Sequence, residues 1–349
     1  MLHEIMSRGA ELDASDIHIT LEKAVVYRIN GDLAEENDAI ISRDQMDTIL
    51  DELEMISNTD LKKSNKFEVD FSFTFENFRV RGNYYFSDKK PVVALRLLPY
   101  TIRTIEDLDL PVAFKDLCGY DKGLVLVAGP TGSGKSTTLA AMLEYVNANR
   151  KVHLITLEDP VEYVFKQKKA LIHQRELEQD TNSFSDGLKY ALRQDPDVIL
   201  VGEMRDTLTM EYTMTAAETG HLVFSTIHTN SAATTPERII GSFPPHQQNQ
   251  IAMQLSNTLV AIIYQRLLKR MDKPGRKAVI EVLIATSGIK NLIRDKKFHQ
   301  IESMMQTGGR FGMVAFDDAL IKEYKDGIIN EDQLKNFARD PASISRRMR

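Results

Sequence analysis

The pattern of apolar residues over about 1–98 predicts a small α/β domain. Apolar side chains at helical spacing predict an amphipathic helix over 43–54 with Ser42 as its N-cap; they are Met46, Ile49, Leu50 and Leu53. The segment FEVDFSFTF alternates, which predicts a half-buried strand with Phe67 and every second residue to Phe75 on one face. Two further runs, FRVRGNYYF and VVALRLL, flank the turn-like SDKKP and predict a hairpin.

A different pattern follows a polar, proline-bounded stretch at 99–111, which we interpret as an interdomain linker. From 112 to 349, short apolar runs alternate with longer helical segments; the runs are GLVLVA, KVHLITLE, DVILVGE and HLVFSTIH. Runs that are apolar on both faces are typical of parallel strands covered by helices. The residues therefore predict a second domain with an α/β fold and a parallel sheet.

Composition narrows the class of protein. A single cysteine, Cys118, excludes an internal disulfide and a tetracysteine zinc site, and it fits a reducing cytoplasm. A net charge of −6 and the absence of tryptophan speak against a nucleic-acid-binding surface. No basic stretch followed by an apolar run opens the chain, so we expect no signal peptide, and the apolar runs are too short to span a bilayer. Any membrane association is expected to depend on a partner.

The segment GPTGSGKS at 129–136 is a full GxxxxGKS motif between a predicted strand and a predicted helix. Such a turn points several backbone N–H groups at one spot, where the helix dipole favours an anion. We expect Lys135 to reach the β- and γ-phosphates of ATP and Ser136 to ligate Mg²⁺. The predicted nucleotide-binding residues are Gly129, Pro130, Thr131, Gly132, Ser133, Gly134, Lys135, Ser136 and Thr137. A chance match and a non-hydrolysing nucleotide site are the alternatives.

Two acidic residues directly follow apolar strands. Glu158 ends HLITLE, and Glu203 follows DVILVG. Because the carboxyl ends of neighbouring parallel strands share one edge of a sheet, we expect both near the phosphates. Glu203 is predicted to contact the Mg²⁺ shell, and Glu158 to polarise the attacking water. The alternative is that either acid caps a loop or pairs with Arg205.

Two histidines bracket the last apolar run, GHLVFSTIH. His228 falls at its carboxyl end, where it could donate a hydrogen bond to the γ-phosphate and report its presence. For both His221 and His228 the alternative is a strand-end histidine satisfied by its neighbours. Their spacing offers no tetrahedral metal set.

Four boxes in this order resemble the secretion-type ATPases, the hexameric motors of type II secretion and type IV pilus systems; they are GPTGSGKS, ITLEDPVEY, VILVGEMRD and GHLVFSTIHT. The resemblance implies a PAS-like domain over 1–98 and a RecA-like P-loop domain over 112–349. It also implies a homohexamer that acts on a platform protein at the cytoplasmic face of the inner membrane. Matching FRVRGNYY and VALRLLP to the family implies that Arg81 and Arg96 reach the nucleotide as arginine fingers. Without the resemblance they are ordinary strand-surface arginines.

Three features favour the pilus retraction branch of that family. The sequence opens directly with the small domain, it lacks a four-cysteine insertion, and GIKNLIRD at 288–295 resembles the retraction signature AIRNLIRE. Gly288, Lys290 and Asp295 depart from that signature, which leaves open an accessory retraction motor or a divergent homologue. The expected function is an ATP-hydrolysing retraction motor. The alternatives are a pilus assembly or type II secretion ATPase, and a RecA-like nucleic-acid motor.

Overall fold

A computed structural model describes residues 1–29, 32–35, 40–62, 67–76, 78–99, 102–342 and 344. Two compact units make up the chain. The first contains Met1–Thr101 and Glu162–Val164, and the second contains Ile102–Val161 and Phe165–Arg349. The linker predicted at 99–111 stays a prediction, and its residues 100 and 101 lie outside the described part.

The first unit is a sheet with helices. Its strands are β1 (Asp16–Thr20), β2 (Val26–Ile29), β3 (Asp32–Glu35), β4 (Glu68–Phe75), β5 (Phe78–Ser87) and β6 (Lys90–Pro99). Its helices are α1 (Leu2–Glu11) and α2 (Arg43–Ser57). The strands lie in the order β3-β2-β1-β6-β5-β4, and every neighbouring pair is antiparallel. The apolar residues of both helices and the inner sheet face form one core.

Helix α2 confirms the helix predicted over 43–54, with the predicted apolar residues buried. Ser42 caps it: its hydroxyl accepts from the N–H of Gln45, whose side chain accepts in return from the N–H of Ser42. This capping box satisfies two donors that a helix start otherwise leaves without partners. The helix continues to Ser57 and stops where Asn58 adopts a left-handed conformation with φ 53°.

Strand β4 begins one residue later than the alternating pattern predicted. Phe71, Phe73 and Phe75 are buried as expected, but Phe67 lies outside the strand and is 83% exposed. Its predicted place in the strand, on the same face as those three phenylalanines, is therefore wrong, because alternation alone does not show where strand pairing ends. Ser72, expected on the polar face, is buried and accepts a hydrogen bond from Nη2 of Arg79 at 2.6 Å.

The predicted hairpin is formed by β5 and β6. Their register places Arg81 directly opposite Arg96. Residues two apart on a strand point to the same face, so Arg79 and Arg81 share one side of β5. The two arginines that the family resemblance singles out are therefore cross-strand neighbours.

The second unit combines a larger sheet with many helices. Its strands are β7 (Gly123–Ala128), β8 (His153–Glu158), β9 (Leu171–Glu176), β10 (Val198–Val201), β11 (Leu222–Ile227), β12 (Leu259–Lys269) and β13 (Arg276–Ile284). Its helices are α3 (Ala113–Cys118), α4 (Lys135–Asn149), α5 (Phe184–Ala191), α6 (Thr207–Glu218), α7 (Thr235–Gly241), α8 (Gln248–Thr258), α9 (Ser287–Arg294), α10 (Ile301–Gln306), α11 (Phe316–Lys325) and α12 (Glu331–Phe337). Short 3₁₀ turns lie at Phe298–Gln300 and Gly309–Phe311.

The strands of the second sheet lie in the order β13-β12-β7-β11-β10-β8-β9. Neighbouring strands are parallel except for β12 and β13, which pair antiparallel. All residues of β7, β10 and β11 are buried, which explains why their sequences are apolar on both faces. The carboxyl ends of β7, β11, β10 and β8 consequently follow one another along one edge of this sheet. Within the described residues, no helix is both long and apolar enough to span a bilayer.

Candidate nucleotide site

The GPTGSGKS loop joins β7 to α4. Glycines make this turn possible: φ is +146° at Gly129, +73° at Gly132 and +87° at Gly134, a region that side chains disfavour. A Cβ added at Gly129 would lie 2.5 Å from the carbonyl oxygen of Gln265. A Cβ at Gly132 would meet nothing within 4 Å, so the loop is open at that point. The backbone thus forms a cradle that an anion can approach at the start of α4.

Lys135 is held inside this loop. It is 9% exposed, and its ammonium group donates to the carbonyl oxygens of Gly129 and Pro130 at 3.0 and 3.1 Å. Ser136, by contrast, is exposed. A buried ammonium group has a strong electrostatic preference for a nearby anion. Its position suits the phosphate-binding role predicted from the motif.

A buried glutamine on the neighbouring strand supports the loop. The side-chain amide of Gln265, on β12, donates to the carbonyl oxygen of Ser133 at 2.7 Å and is 1% exposed. The GPTGSGKS motif did not predict this residue. A signal was present, because Gln265 interrupts the otherwise apolar run LVAIIYQRLL.

Glu203 follows β10 and lies between the side chains of Arg205 and His228. Nε of Arg205 donates to Oε2 of Glu203 at 2.9 Å, and Nε2 of His228 lies 3.3 Å from Oε1. Arg205 also reaches the carboxylate of Asp159 at 3.3 Å. The pairing with Arg205 that the sequence left open as an alternative is therefore present. It brings Glu203, His228 and Asp159 into one cluster at the carboxyl edge of the sheet.

Glu158 ends β8 at the same edge. Its Oε1 accepts from the hydroxyl of Thr156 at 2.6 Å and from the side-chain amide of Gln174, on β9, at 3.2 Å. A peptide bond in the cis form follows, between Asp159 and Pro160. Two donors therefore fix the position of one carboxylate oxygen of Glu158.

His221, at the opposite end of β11, contacts helix α6, which precedes this strand. Its Nδ1 lies 2.8 Å from the carbonyl oxygen of Ala216. That contact fits the strand-end alternative for this histidine. Among the described residues, no group of three or more histidine, cysteine and acidic side chains is arranged to hold a metal ion.

In the first unit, Arg81 and Arg96 are each paired with an acid. Nη2 of Arg81 lies 3.3 Å from Glu162, and Nε of Arg96 donates to Asp16 at 2.8 Å. Burial alone would raise the pKa of Asp16, but hydrogen bonds from Arg96 and Ser15 outweigh it and lower that pKa below its ordinary value. Asp16 therefore holds Arg96 as a charged partner at neutral pH.

The chain is similar to known proteins over nearly its whole length. Residues 1–332 match the family described as "Type II/IV secretion system protein". The chain is 43% identical to the "Twitching motility protein" of Neisseria gonorrhoeae, covering 92% of this chain and 86% of that protein. It is 40% identical to the "Type IV pilus retractation ATPase PilT" of Pseudomonas aeruginosa, covering 98% and 99%.

The chain is also similar to a solved structure. The crystal structure of the pilus retraction motor PilT with bound ADP superimposes with a TM-score of 0.91 at 41% identity, covering 99% of this chain and 98% of that one. These findings confirm the predicted fold class and the resemblance inferred from the four boxes. The chain belongs to the type II/IV secretion system protein family.

Proposed function

We propose that this chain is a motor that hydrolyses ATP and uses the energy to retract type IV pili. The observation that carries the proposal is the GPTGSGKS loop, folded as a glycine cradle around a buried Lys135 at the start of α4. The kind of work is supported by similarity to a twitching motility protein and a pilus retraction ATPase over most of the chain.

Residues Gly129–Thr137 would hold the phosphates of ATP, with Lys135 exchanging backbone carbonyl acceptors for the β- and γ-phosphates. The hydroxyl of Ser136 and the carboxylate of Glu203 would hold Mg²⁺, since oxygen ligands of this kind suit that ion. The bound ion would neutralise charge on the phosphates. His228, beside Glu203, would sense whether the γ-phosphate is present.

Glu158 would act as the general base. Its carboxylate would take a proton from water as the water oxygen attacks the γ-phosphorus. The bond from that phosphorus to the bridging oxygen then breaks, which yields phosphate and ADP. The hydroxyl of Thr156 holds Glu158 from one side and limits the rotamers of the carboxylate.

We extend the proposal to a homohexamer in which Arg81 and Arg96 supply positive charge to the phosphates. Each would then exchange its present carboxylate, Glu162 or Asp16, for phosphate oxygens. Release of these contacts after hydrolysis would move a PAS-like domain (1–98) about the 99–111 linker relative to a RecA-like domain (112–349). The work would be done on a platform protein of the inner membrane, from its cytoplasmic face.

Steady-state ATP hydrolysis by the purified chain with Mg²⁺ tests the chemistry. We expect Lys135→Ala to abolish hydrolysis, and Glu158→Gln to bind ATP while lowering kcat at least about 100-fold, as loss of a general base does. Lys151→Ala, an exposed lysine of the same unit, is the matched control and should retain wild-type turnover. Rapid turnover by the Glu158→Gln variant would rule out its role as the base.

Two rival functions predict different outcomes. A pilus assembly or type II secretion ATPase shares the chemistry, but its inactivation removes fibres or secretion instead of leaving excess pili. A nucleic-acid motor would be stimulated by single-stranded DNA. We expect no stimulation, since the chain carries a net charge of −6 and no tryptophan.

A further inference from the structure

The edge strand β9 places a glutamine beside the proposed general base. In the parallel register of β8 and β9, Thr156 lies opposite Gln174, and Glu158 lies opposite Glu176. Gln174 is thus a diagonal neighbour of Glu158, and its Nε2 lies 3.2 Å from Oε1 of that carboxylate. Gln174 therefore approaches Glu158 from the adjacent strand.

The other end of the Gln174 side chain is also occupied. Its Oε1 accepts from the backbone N–H of Phe165 at 2.9 Å. A backbone N–H can only donate, so the carbonyl end of the side chain faces Phe165 and the amide end faces Glu158. The orientation of the amide follows from these two partners together.

A second side chain of β9, Glu176, binds the connection between β8 and β9 near the start of that connection. Oε2 of Glu176, a residue 5% exposed, accepts from the backbone N–H of Val161 at 3.1 Å. Gln174 and Glu176 therefore fasten both ends of the segment 161–165, which follows the Glu158-Asp159-Pro160 turn. Glu176 accepts from the backbone of this segment, and Gln174 both accepts from that backbone and donates to the carboxylate of Glu158.

We infer that Gln174 is a positioning residue for ATP hydrolysis: its amide holds the Glu158 carboxylate, and its carbonyl holds the backbone at Phe165. The inference rests on the proposed role of Glu158 as the base. Donation to one carboxylate oxygen restricts rotation of the group, and a base misplaced by about 1 Å can cost about 100-fold in rate. The alternative is that Gln174 only holds the 161–165 segment in place and has no effect on the chemistry.

The first test compares Gln174→Leu with Gln167→Leu in the full-length protein. Gln167 lies in the connection between β8 and β9, is exposed, and donates to the carbonyl oxygen of Ile172 at 3.5 Å. We expect Gln174→Leu to lower kcat about 10- to 100-fold with KM for ATP changed less than about threefold. The Gln167→Leu control should retain both values. An unchanged kcat, with or without a change in KM, would overturn the inference.

A double-variant cycle separates this inference from the proposed function. In a Glu158→Gln background, measured by single turnover, Gln174→Leu should lower the residual rate less than about twofold, because residues acting as a unit are not additive. A full 10- to 100-fold loss in that background would show that Gln174 acts elsewhere. Failure of the proposed function has a different signature, wild-type kcat in the Glu158→Gln single variant.

Gln174→Glu keeps the test possible if the leucine variant does not fold. A glutamate retains the acceptor for the Phe165 N–H but puts a second carboxylate beside Glu158. Two adjacent carboxylates resist ionising together, so the acidic limb of the kcat–pH profile should move up by about one pH unit. A profile with the wild-type shape would show that residue 174 does not act on the Glu158 carboxylate. The control variant Gln167→Glu should leave the profile unchanged.

Discussion

Within the second unit, a buried ion pair joins Arg339 to Glu281 of strand β13. The two terminal nitrogens of Arg339 donate to the two carboxylate oxygens at 2.6 and 2.7 Å. Glu281, on β13, is 1% exposed, and the Arg339 side chain is 25% exposed. Burial alone would lower the pKa of Arg339, but the hydrogen bonds to Glu281 outweigh it and raise that pKa. The guanidinium group therefore stays charged.

Further contacts share this pair. Oε2 of Glu281 also accepts from the backbone N–H of Ala232 at 2.8 Å. The guanidinium group lies 5.4 Å from the ring centre of Tyr264 and 5.1 Å from that of Phe316. Removing Arg339 would leave the Glu281 carboxylate buried with a backbone amide as its remaining partner among these contacts.

The perturbation is Arg339→Ala. Breaking a buried ion pair by removing one partner costs about 3–5 kcal/mol, because the other charge stays buried. Water reaches part of the arginine, so we take the lower end, about 3 kcal/mol. For a unit of this size each kcal/mol lowers Tm by about 2–4 °C, which gives a drop of about 6–12 °C.

Differential scanning calorimetry measures this loss in two backgrounds. Glu281→Gln keeps an acceptor for the Ala232 N–H but removes the charge. In that background Arg339→Ala should cost only about 1 kcal/mol, the loss of ring contacts. Arg310→Ala, an exposed arginine stacked on Phe311, is the matched control and should change stability by less than about 0.5 kcal/mol. Equal losses in both backgrounds would refute the buried-charge reasoning.

Three further predictions follow from buried groups and from the loop backbone. Burial raises the pKa of the Cys118 thiol to about 12, so iodoacetamide at pH 8 should label it only after unfolding; rapid labelling of the native protein would contradict this. Burial also raises the pKa of Glu323, although the ammonium group of Lys277 lies 3.9 Å from its carboxylate. The folded chain therefore binds the Glu323 proton more tightly than the unfolded chain does. As a result, the folded state loses stability as pH rises through the raised pKa. Glu323→Gln should therefore raise Tm at pH 8 and leave it nearly unchanged at pH 4, and equal shifts at both values would count against this. Gly129→Ala would push a Cβ against the carbonyl oxygen of Gln265, so an ATP titration should show lost binding, and wild-type affinity would contradict the cradle.

Local patterns predicted local elements well. Helix α2 and its Ser42 cap followed from apolar spacing and a single capping residue, because both signals act within a few residues along the chain. The P-loop was predicted with its flanking strand and helix for the same reason. The neighbouring order of Glu158, Glu203 and His228 along one sheet edge followed from the geometry of parallel strands.

Contacts between distant parts of the sequence were beyond prediction. The Arg339–Glu281 pair joins residues 58 positions apart, and Gln265 reaches Ser133 across 132 positions. Strand β9 also went unrecognised, since its sequence LIHQRE is polar at the sheet edge and carries no apolar period. Such partners depend on the register of neighbouring strands, which a single sequence does not specify.

The central claim is that ATP hydrolysis at this P-loop powers pilus retraction. Counting surface pili, with twitching scored on the same cells, tests it most directly when Lys135→Ala replaces the wild-type chain in the native host. We expect more pili than in the wild type together with lost twitching, because fibres are made but not withdrawn. Lys151→Ala should leave both unchanged. Few or no pili, or wild-type numbers with normal twitching, would contradict the claim.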